Sequence, residues 1–432
     1  MFVIIHTLSA YAAALLNRDE SGFFKRMVMG GTPRLRISSQ CLKRRLRTAG
    51  PPWDMAGAPA AVDHEDLPSS VSSRLIIERL VAVPLLAEGF PEPVVVAACQ
   101  HLIAGLLKSS SKRTASADAA DEAADDLEAE DTKDTKDTKG AKSAKGKGAQ
   151  SALGLVTGQR ITLGSHEVAY LLDMVRTACM EGAGDSKRAA AVVDTAVKKQ
   201  RANLYAMRYG GGAEAALYGR FITSDVLASK DAPIHVAHMF GVDEATAEHD
   251  LITAMDDLAG DETKWANAMM ASTELGSALF YGCIVVDLPQ LVSNLEGVDP
   301  KAWREPDKRL AAEYVRRLVG AIVYTTPGAK VTSTAPYARP LLVAVEGSST
   351  PRNYQNAFLR AVNPLPDLAA NASEALRRFV ADDNAVYGQA EFRALTGMGD
   401  LGGLQAAFGL AVGAPPSIEM VSQGIAAWIR GL

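Results

Sequence analysis

One long segment of this chain cannot belong to a hydrophobic core, and it limits how the rest can fold. Residues 109–150 begin SSSKRTASADAADEAADDLEAE, continue through DTKDTKDTK and end GAKSAKGKGAQ. Because large apolar side chains are almost absent, burial cannot offset the entropy cost of ordering this segment. We therefore predict a disordered, charged surface loop between two helical regions, without a function of its own.

The remaining sequence contains both strand-like and helix-like patterns. Between residues 60 and 210, outside the charged loop, apolar residues recur mainly at helical spacing. Short apolar runs typical of strands lie on both sides of this helical region. These runs are 2–8, 234–240, 278–288 and 340–347, and helical patterns return at 307–324, 371–389 and 418–432. The sequence predicts an α+β protein with a helical insertion.

Positive charge is concentrated near the N-terminus of an otherwise acidic chain. The first fifty residues hold nine basic and two acidic side chains, whereas the whole chain has a net charge of −5. This asymmetry favours contact with a polyanion through one local face. Most of the charge lies in GGTPRLRISSQCLKRRLR, residues 30–47.

The first half of this basic stretch has the alternation of a β-strand. Arg34 and Arg36 alternate with Leu35 and Ile37 after a turn rich in glycine. Alternation of this kind predicts a strand whose charged side faces outward. Both arginines are therefore candidate phosphate contacts.

The second half predicts a basic amphipathic helix that starts at Gln40, with Ser38 or Ser39 as its N-cap. Leu42 and Leu46 fall on the face that can dock on a sheet. The opposite face carries Gln40, Lys43, Arg44 and Arg47, which we call the basic stripe. The stripe, the serine hydroxyls and the N–H groups at the helix start suit phosphate groups. On these residues alone, a solvated helix face is an equally good interpretation.

Other parts of the sequence offer little that could form a catalytic or metal site. The four cysteines have no CxxC spacing, which disfavours zinc and disulfides and fits a reducing cytoplasm. His235 and His238 form an HxxH without a nearby third ligand, so we expect structural roles for them. Asp19 and Glu20 could pair as acids or metal ligands, but no histidine is positioned beside them. We expect no enzyme activity, no cofactor and no metal.

No segment predicts a membrane span, because none offers about 18 uninterrupted apolar residues. The apolar start MFVIIHTLSAYAAALL lacks the charged region that precedes a secretion signal, and we predict a buried strand there. These features predict a cytoplasmic protein.

Several blocks of the sequence resemble one protein family. The pattern R-RISSQ-LKR--R (34–47), with LNRDE (16–20), GG (30–31) and TPGAK (326–330), is similar to CasC, the backbone subunit of the type I-E CRISPR Cascade complex. The similarity continues through ALYGRFITS (216–224), HDLITAMDDL (249–258), STELGSALFYGCIVVDL (272–288) and YQNAF (354–358). It covers nearly the whole chain, with 109–150 as the main unmatched insertion.

The resemblance implies a hand-shaped subunit with three parts. The palm is an RRM-like, ferredoxin-like sheet with helices, and a helical fingers insertion and a protruding thumb are attached to it. On this chain the palm would comprise 1–58, 233–243 and 275–432, the fingers 59–232 and the thumb 244–274. Several copies would polymerise along the spacer of a guide crRNA, and each thumb would displace a base.

The resemblance also implies which residues touch the guide. Contacts to its phosphate backbone carry over onto Arg18, Ser38, Gln40, Lys43, Arg44 and Arg47. An intercalating methionine of the family corresponds to Phe221, whose ring can stack on a base. In the thumb, Leu251 and Ile252 stand where a close relative has an aromatic pair, and Met269 and Met270 lie on the return limb. These aliphatic side chains would wedge under a displaced base.

The implied function is that of a non-catalytic structural subunit in antiviral defence. It would bind guide phosphates independently of sequence and leave target recognition to base pairing. Its partners would be the crRNA, other copies of itself, subunits of the CasA, CasB, CasD and CasE types, and target DNA through the guide. Two alternatives are a metal-dependent target-RNA nuclease that uses Asp19, and a stand-alone single-strand nucleic-acid-binding protein.

Overall fold

A computed structural model describes residues 1–63, 70–107, 151–158, 160–206, 212–220, 230–254, 269–328 and 330–432. In these ranges an antiparallel sheet combines with helices, which confirms the predicted α+β class. The charged loop predicted at 109–150 lies outside the described residues. No helix in the described ranges is both long and apolar enough to cross a bilayer.

The described strands and helices have the following bounds. The strands are β1 (Phe2–Ala14), β2 (Arg26–Met29), β3 (Thr32–Ile37), β4 (Ser70–Ser73), β5 (Ile161–Gly164), β6 (Ile234–Val236), β7 (Met239–Gly241), β8 (Thr246–Ala254), β9 (Met269–Asp287), β10 (Leu342–Ser348) and β11 (Phe392–Gly397). The α-helices are α1 (Ser39–Arg47), α2 (Val83–Ala87), α3 (Glu92–Leu107), α4 (Ser165–Gly182), α5 (Ser186–Ala206), α6 (Gly212–Tyr218), α7 (Leu288–Glu296), α8 (Arg309–Tyr324), α9 (Val331–Thr334), α10 (Leu368–Tyr387), α11 (Gly402–Ala407) and α12 (Ile418–Gly431). A π-turn spans Glu78–Ala82, and 3₁₀ turns span Met55–Gly57, Ala60–Val62, Pro300–Ala302 and Tyr354–Phe358.

The large sheet is centred on β1 and β9. Its strand order is β11–β10–β1–β9–β7–β3–β2, and β6 and β8 also pair with β9. The predicted strand at 2–8 is extended to Ala14, because β9 continues to pair with it beyond Leu8. A register shift after Tyr11 separates the regular part of this pairing from the contact of Ala14 with Gly276.

Helices cover both faces of this sheet. Val3 and Ile5 of β1 pack into a core with α7, α8 and α12, whereas Ile4 and Leu8 pack on the other side with α10 and α11. This follows from the alternation of side chains along a strand. Helix α1 lies on the α8 side, where Leu46 is buried and Leu42 is partly buried, as the helical pattern predicted.

The helical insertion has a hydrophobic core of its own, formed by α3, α4 and α5. The region predicted to be mainly helical also contains a short strand pair, because Ser70–Ser73 pair with β5 as strand β4. Glu78 is buried in the π-turn and accepts hydrogen bonds from the N–H groups of Ala152 and Leu155. Burial acts to raise the pKa of Glu78, but a hydrogen bond from the Ser151 hydroxyl and those from the backbone outweigh it and leave the pKa below its ordinary value.

Strand β9 belongs both to the large sheet and to a separate pair with β8. Residues 276–287 pair with β1 in the centre of the sheet, and residues 269–277 pair with β8. Within the described residues, positions 269–275 have β8 as their only strand neighbour, so this part is a two-stranded ribbon. The ribbon therefore grows directly out of the central strand.

Candidate nucleic-acid interface

Helix α1 begins at a densely hydrogen-bonded N-terminus. Ser38 is its N-cap, and the Ser38 hydroxyl accepts a hydrogen bond from the Cys41 N–H at 3.3 Å. The Ser38 N–H donates to Asn17 Oδ1, and the Ser39 N–H donates to His238 Nδ1, both at 2.9 Å. These amides are used within the protein. Fewer backbone amides than the sequence predicted are therefore available to a phosphate, and the side chains of the stripe are the main groups that this helix offers.

The basic stripe is accessible along α1. Arg44 and Arg47 are exposed, and Gln40 and Lys43 are half-buried. The last turn of the helix holds Arg44, Arg45 and Arg47, where cations interact favourably with the helix dipole. This arrangement presents adjacent cations on one surface, as the sequence spacing predicted.

Arg34 was predicted to face outward, and this prediction is wrong. The side chain is 0% exposed in β3. Its guanidinium donates to the carbonyls of Gly241, at 3.1 Å, and Val242, and at 3.4 Å to that of Phe358. Leu35 is also fully buried, so β3 is covered on both sides, and Arg34 holds the fold together instead of meeting a ligand.

Arg36 and Gln40 each carry an unsatisfied buried atom. The Arg36 Nε and the Gln40 Oε1 are buried and have no hydrogen-bond partner in the described part of the chain, although both residues are half-buried overall. Buried polar atoms of this kind are normally paired. Both side chains thus retain hydrogen-bonding capacity at the start of α1. Arg18, also half-buried, lies in the preceding loop and forms an isolated β-bridge with Phe24.

An acidic residue from the helical insertion reaches the basic stripe. Glu214 of α6 accepts a hydrogen bond from Arg47 at 2.9 Å, and the hydroxyl of Ser70 donates to the same oxygen at 3.1 Å. The charge balance within residues 30–47 gave no sign of this, because Glu214 lies far along the chain. Arg47 is therefore held by a carboxylate that a phosphate would have to replace.

Asp19 and the two histidines have structural contacts. Asp19 Oδ1 accepts hydrogen bonds from the N–H groups of Ser21 and Phe23, which closes a tight loop. His238 caps α1, and His235 Nε2 contacts the carbonyl of Ala232 at 3.1 Å. In the described ranges no group of three or more His, Cys, Asp or Glu side chains is placed to hold a metal ion.

The predicted base-contacting residues are placed only in part. Leu251 lies in β8 and is 60% exposed. In the β8–β9 register, Ile252 is opposite Ala271, Met270 is opposite Thr253 and Met269 is opposite Ala254. Phe221 lies outside the described residues. Its neighbour Arg220 is buried and donates to both carboxylate oxygens of Glu167, at 2.7 and 2.8 Å.

Sequence reasoning did not identify two contacts beside the stripe. Arg45 donates to the carbonyl of Gly328 at 2.6 Å, and Lys330 donates to Thr273 Oγ1 at 2.7 Å. They connect α1 and the base of the β8–β9 ribbon to the segment TPGAK. That block was visible in the sequence, but nothing in its composition indicated what it touches.

Comparison with known proteins places this arrangement in a family. The family model described as CT1975-like protein matches residues 3–407. A chain of a "CRISPR RNA-guided surveillance complex, pre-nicking" has 21% sequence identity and a TM-score of 0.67, covering 99% of this chain and 100% of that one. A chain of another "CRISPR RNA-guided surveillance complex" has 18% identity and a TM-score of 0.59, with both chains fully covered. No curated protein matches. These structures share the fold, and the family match over most of the sequence shows that the chain belongs to the CT1975-like protein family.

Proposed function

We propose that this protein is a non-catalytic, RNA-binding backbone subunit of a CRISPR surveillance complex of the type I-E Cascade kind. It binds the phosphates of a guide crRNA, polymerises with further copies along the spacer and leaves target DNA to be read by base pairing. The observation that carries this proposal is the accessible basic stripe on α1, in a chain whose fold matches subunits of such complexes over their full length.

The arrangement of parts supports the same proposal. The region 59–232 includes a helical unit with its own core, which suits the fingers. Most of the ribbon of β8 and β9 falls within 244–274, which suits the thumb. The sheet formed from the rest of the chain is then the palm, which carries the basic stripe beside the base of the thumb.

Replacing Lys43 and Arg44 together with alanine tests the stripe. RNA binding should weaken by a similar factor for unrelated sequences, because phosphate contacts carry no sequence information. Each lost contact should flatten the plot of log K against log salt by about 0.7, and the pair by about 1.4. The measurement is a salt titration with two single-stranded RNAs of equal length.

Arg377, which is half-buried, and Arg378, which is exposed, lie on α10 across the sheet and provide the matched double-alanine control. The control should bind RNA as the wild type does. If the Lys43/Arg44 variant keeps the wild-type slope and affinity, the stripe is a solvated helix face and the proposal fails.

Glu214→Gln should strengthen RNA binding. In the variant, Arg47 has no carboxylate partner. It can therefore bind a phosphate without first breaking its ion pair with Glu214. Partly exposed ion pairs are worth up to about 1 kcal/mol, so affinity should rise by up to roughly fivefold. The salt slope should steepen by up to about 0.7. Glu181→Gln, an exposed change at the end of α4, should alter neither quantity. Weaker binding of the Glu214→Gln variant would show that the pair supports the site.

The two alternative functions have direct tests. A target-RNA nuclease would lose metal-dependent cleavage on Asp19→Ala, and the proposal expects no such cleavage from the wild type. A stand-alone single-strand binder would co-purify with RNA of mixed lengths. The proposal expects guide RNA of one length together with the partner subunits.

A further inference from the structure

Four side chains form a continuous stack near the C-terminal end of α1. The Arg339 guanidinium lies 4.3 Å from the centre of the Tyr324 ring. Tyr324 is nearly parallel to Trp53, at 6° and 5.5 Å between ring centroids, and the Arg316 guanidinium lies 5.4 Å from the Trp53 ring. We call this series, Arg316–Trp53–Tyr324–Arg339, the stacking ladder.

The fold holds the middle of the ladder rigidly. Arg317 is buried, and its Nη1 donates to the carbonyls on either side of Trp53, at 3.0 Å to Pro52 and 2.7 Å to Asp54. The indole lies flat on Gly320 of α8, where a Cβ atom would come within 2.1 Å of the ring. The Trp53 ring is therefore fixed before any ligand arrives.

The two ends of the ladder differ. Arg316 is only partly exposed and pairs with Glu313 and Glu419. Arg339 is exposed and contacts the Tyr324 ring, and it forms no ion pair within the described residues. Tyr324 is 42% exposed, and Tyr337, two positions before Arg339, is 67% exposed. At one end of the ladder Arg316 is paired with carboxylates, and at the other end the Tyr324 ring and the Arg339 guanidinium are exposed to solvent.

The open end lies beside the basic stripe. Trp53 follows α1 through a turn in which its N–H donates to the Gly50 carbonyl at 3.1 Å. Arg45, on the flank of α1, bonds to Gly328, which lies between Tyr324 and Arg339 in the chain. A strand whose phosphates lie on the stripe can therefore reach the ladder as it leaves the C-terminal end of α1.

We propose that the stacking ladder binds one unpaired base of the single-stranded RNA whose phosphates lie on the basic stripe. The base enters between the Tyr324 ring and the Arg339 guanidinium, so the ring stacks on one face of the base and the guanidinium on the other. Aromatic rings and arginine planes accept any base in this way, since every base has a π-face. This inference rests on the proposed function, and it adds a second, non-electrostatic contact at a place where none has been assigned.

RNAs with 2-aminopurine at successive positions provide the test, because stacking quenches the fluorescence of this base. On a guide RNA bound by the wild type, one position for each bound copy should be quenched relative to its neighbours. Tyr324→Leu and Arg339→Ala should each abolish that quenching and lower affinity roughly fivefold or more. Arg339→Ala leaves the Trp53–Tyr324 pair in place, so its effect does not depend on the integrity of the fold. Tyr387→Leu, a change at a 76% exposed tyrosine on α10, is the matched control.

The outcomes separate the two proposals. If the Lys43/Arg44 variant loses affinity while both ladder variants bind and quench as the wild type does, the ladder proposal is overturned and the RNA-binding function stands. If wild-type RNA binding does not depend on the stripe, the function itself fails. If the ladder variants lose association between copies at unchanged RNA affinity, the ladder is a protein interface and the proposal is wrong.

Discussion

Replacing Arg34 with alanine should lower the free energy of unfolding by about 3–5 kcal/mol, an effect on folding rather than on RNA binding. The change leaves a cavity. It also removes the guanidinium that donates hydrogen bonds to the carbonyls of Gly241, Val242 and Phe358. A buried acceptor without a donor costs about 1–3 kcal/mol, and truncation of a large buried side chain costs a similar amount or more. Urea denaturation at neutral pH measures the difference.

Arg36→Ala is the matched control for this experiment. Arg36 lies two residues further along β3 but is only half-buried, so its loss should cost under about 1 kcal/mol. If Arg34→Ala keeps wild-type stability and instead weakens RNA binding, the buried position described for Arg34 is wrong.

Glu346→Gln should destabilise the fold to a similar extent, by about 3–5 kcal/mol. Glu346 is 0% exposed, accepts a hydrogen bond from Arg393 at 2.7 Å and lies 3.2 Å from His6 Nε2. Glutamine keeps the shape but leaves the buried guanidinium without its counter-charge, which is the costly way to break a buried ion pair. Glu374→Gln on α10 removes two solvent-accessible ion pairs, with Arg377 and Arg378, and it should leave the stability almost unchanged.

The cost of Glu346→Gln should shrink at alkaline pH. Burial acts to lower the pKa of His6, but interactions with Cys283 and Glu346 raise it to about 9. Because the pKa of His6 is raised in the folded state, protonation of His6 stabilises the fold. This stabilisation is fully present below pH 6.5, the ordinary pKa, and is lost as the pH rises through 9. Denaturation at pH 6.5 and pH 9.5 should therefore show a larger difference between wild type and variant at pH 6.5. An equal difference at both values would mean that His6 is not stabilised by this carboxylate.

The features predicted correctly are those encoded by local spacing. The amphipathic period of α1, its Ser38 cap and the docking of Leu46 can all be read from nine or ten consecutive residues. The same is true of α8 and α12, whose apolar faces recur at helical spacing.

The features that were not predicted depend on contacts between elements that are far apart in the sequence. The alternation in β3 predicts that Arg34 and Leu35 point to opposite sides of the strand. It does not predict that β7 and the segment around Phe358 lie against Arg34 and bury it. The partner of Arg47 is 167 positions away in the sequence. Charge counting in the basic segment could not detect it, because long-range packing decides which carboxylate lies near which cation.

The continuity of β9 has a mechanical consequence. At roughly 3.3 Å per residue, its 19 residues extend about 60 Å, from the far part of the ribbon to the centre of the sheet. Because β9 belongs to both the sheet and the ribbon, its pairing with β1 fixes one end of the ribbon. The number of residues beyond that pairing then determines how far the ribbon extends from the sheet. Adding one residue to each ribbon strand would lengthen that reach by roughly 3 Å and turn every side chain beyond the insertion to the opposite face. Adding two residues to each strand would lengthen the ribbon by roughly 7 Å and return every side chain to its original face. The length of the ribbon can therefore change in steps of two residues without moving side chains to the opposite face.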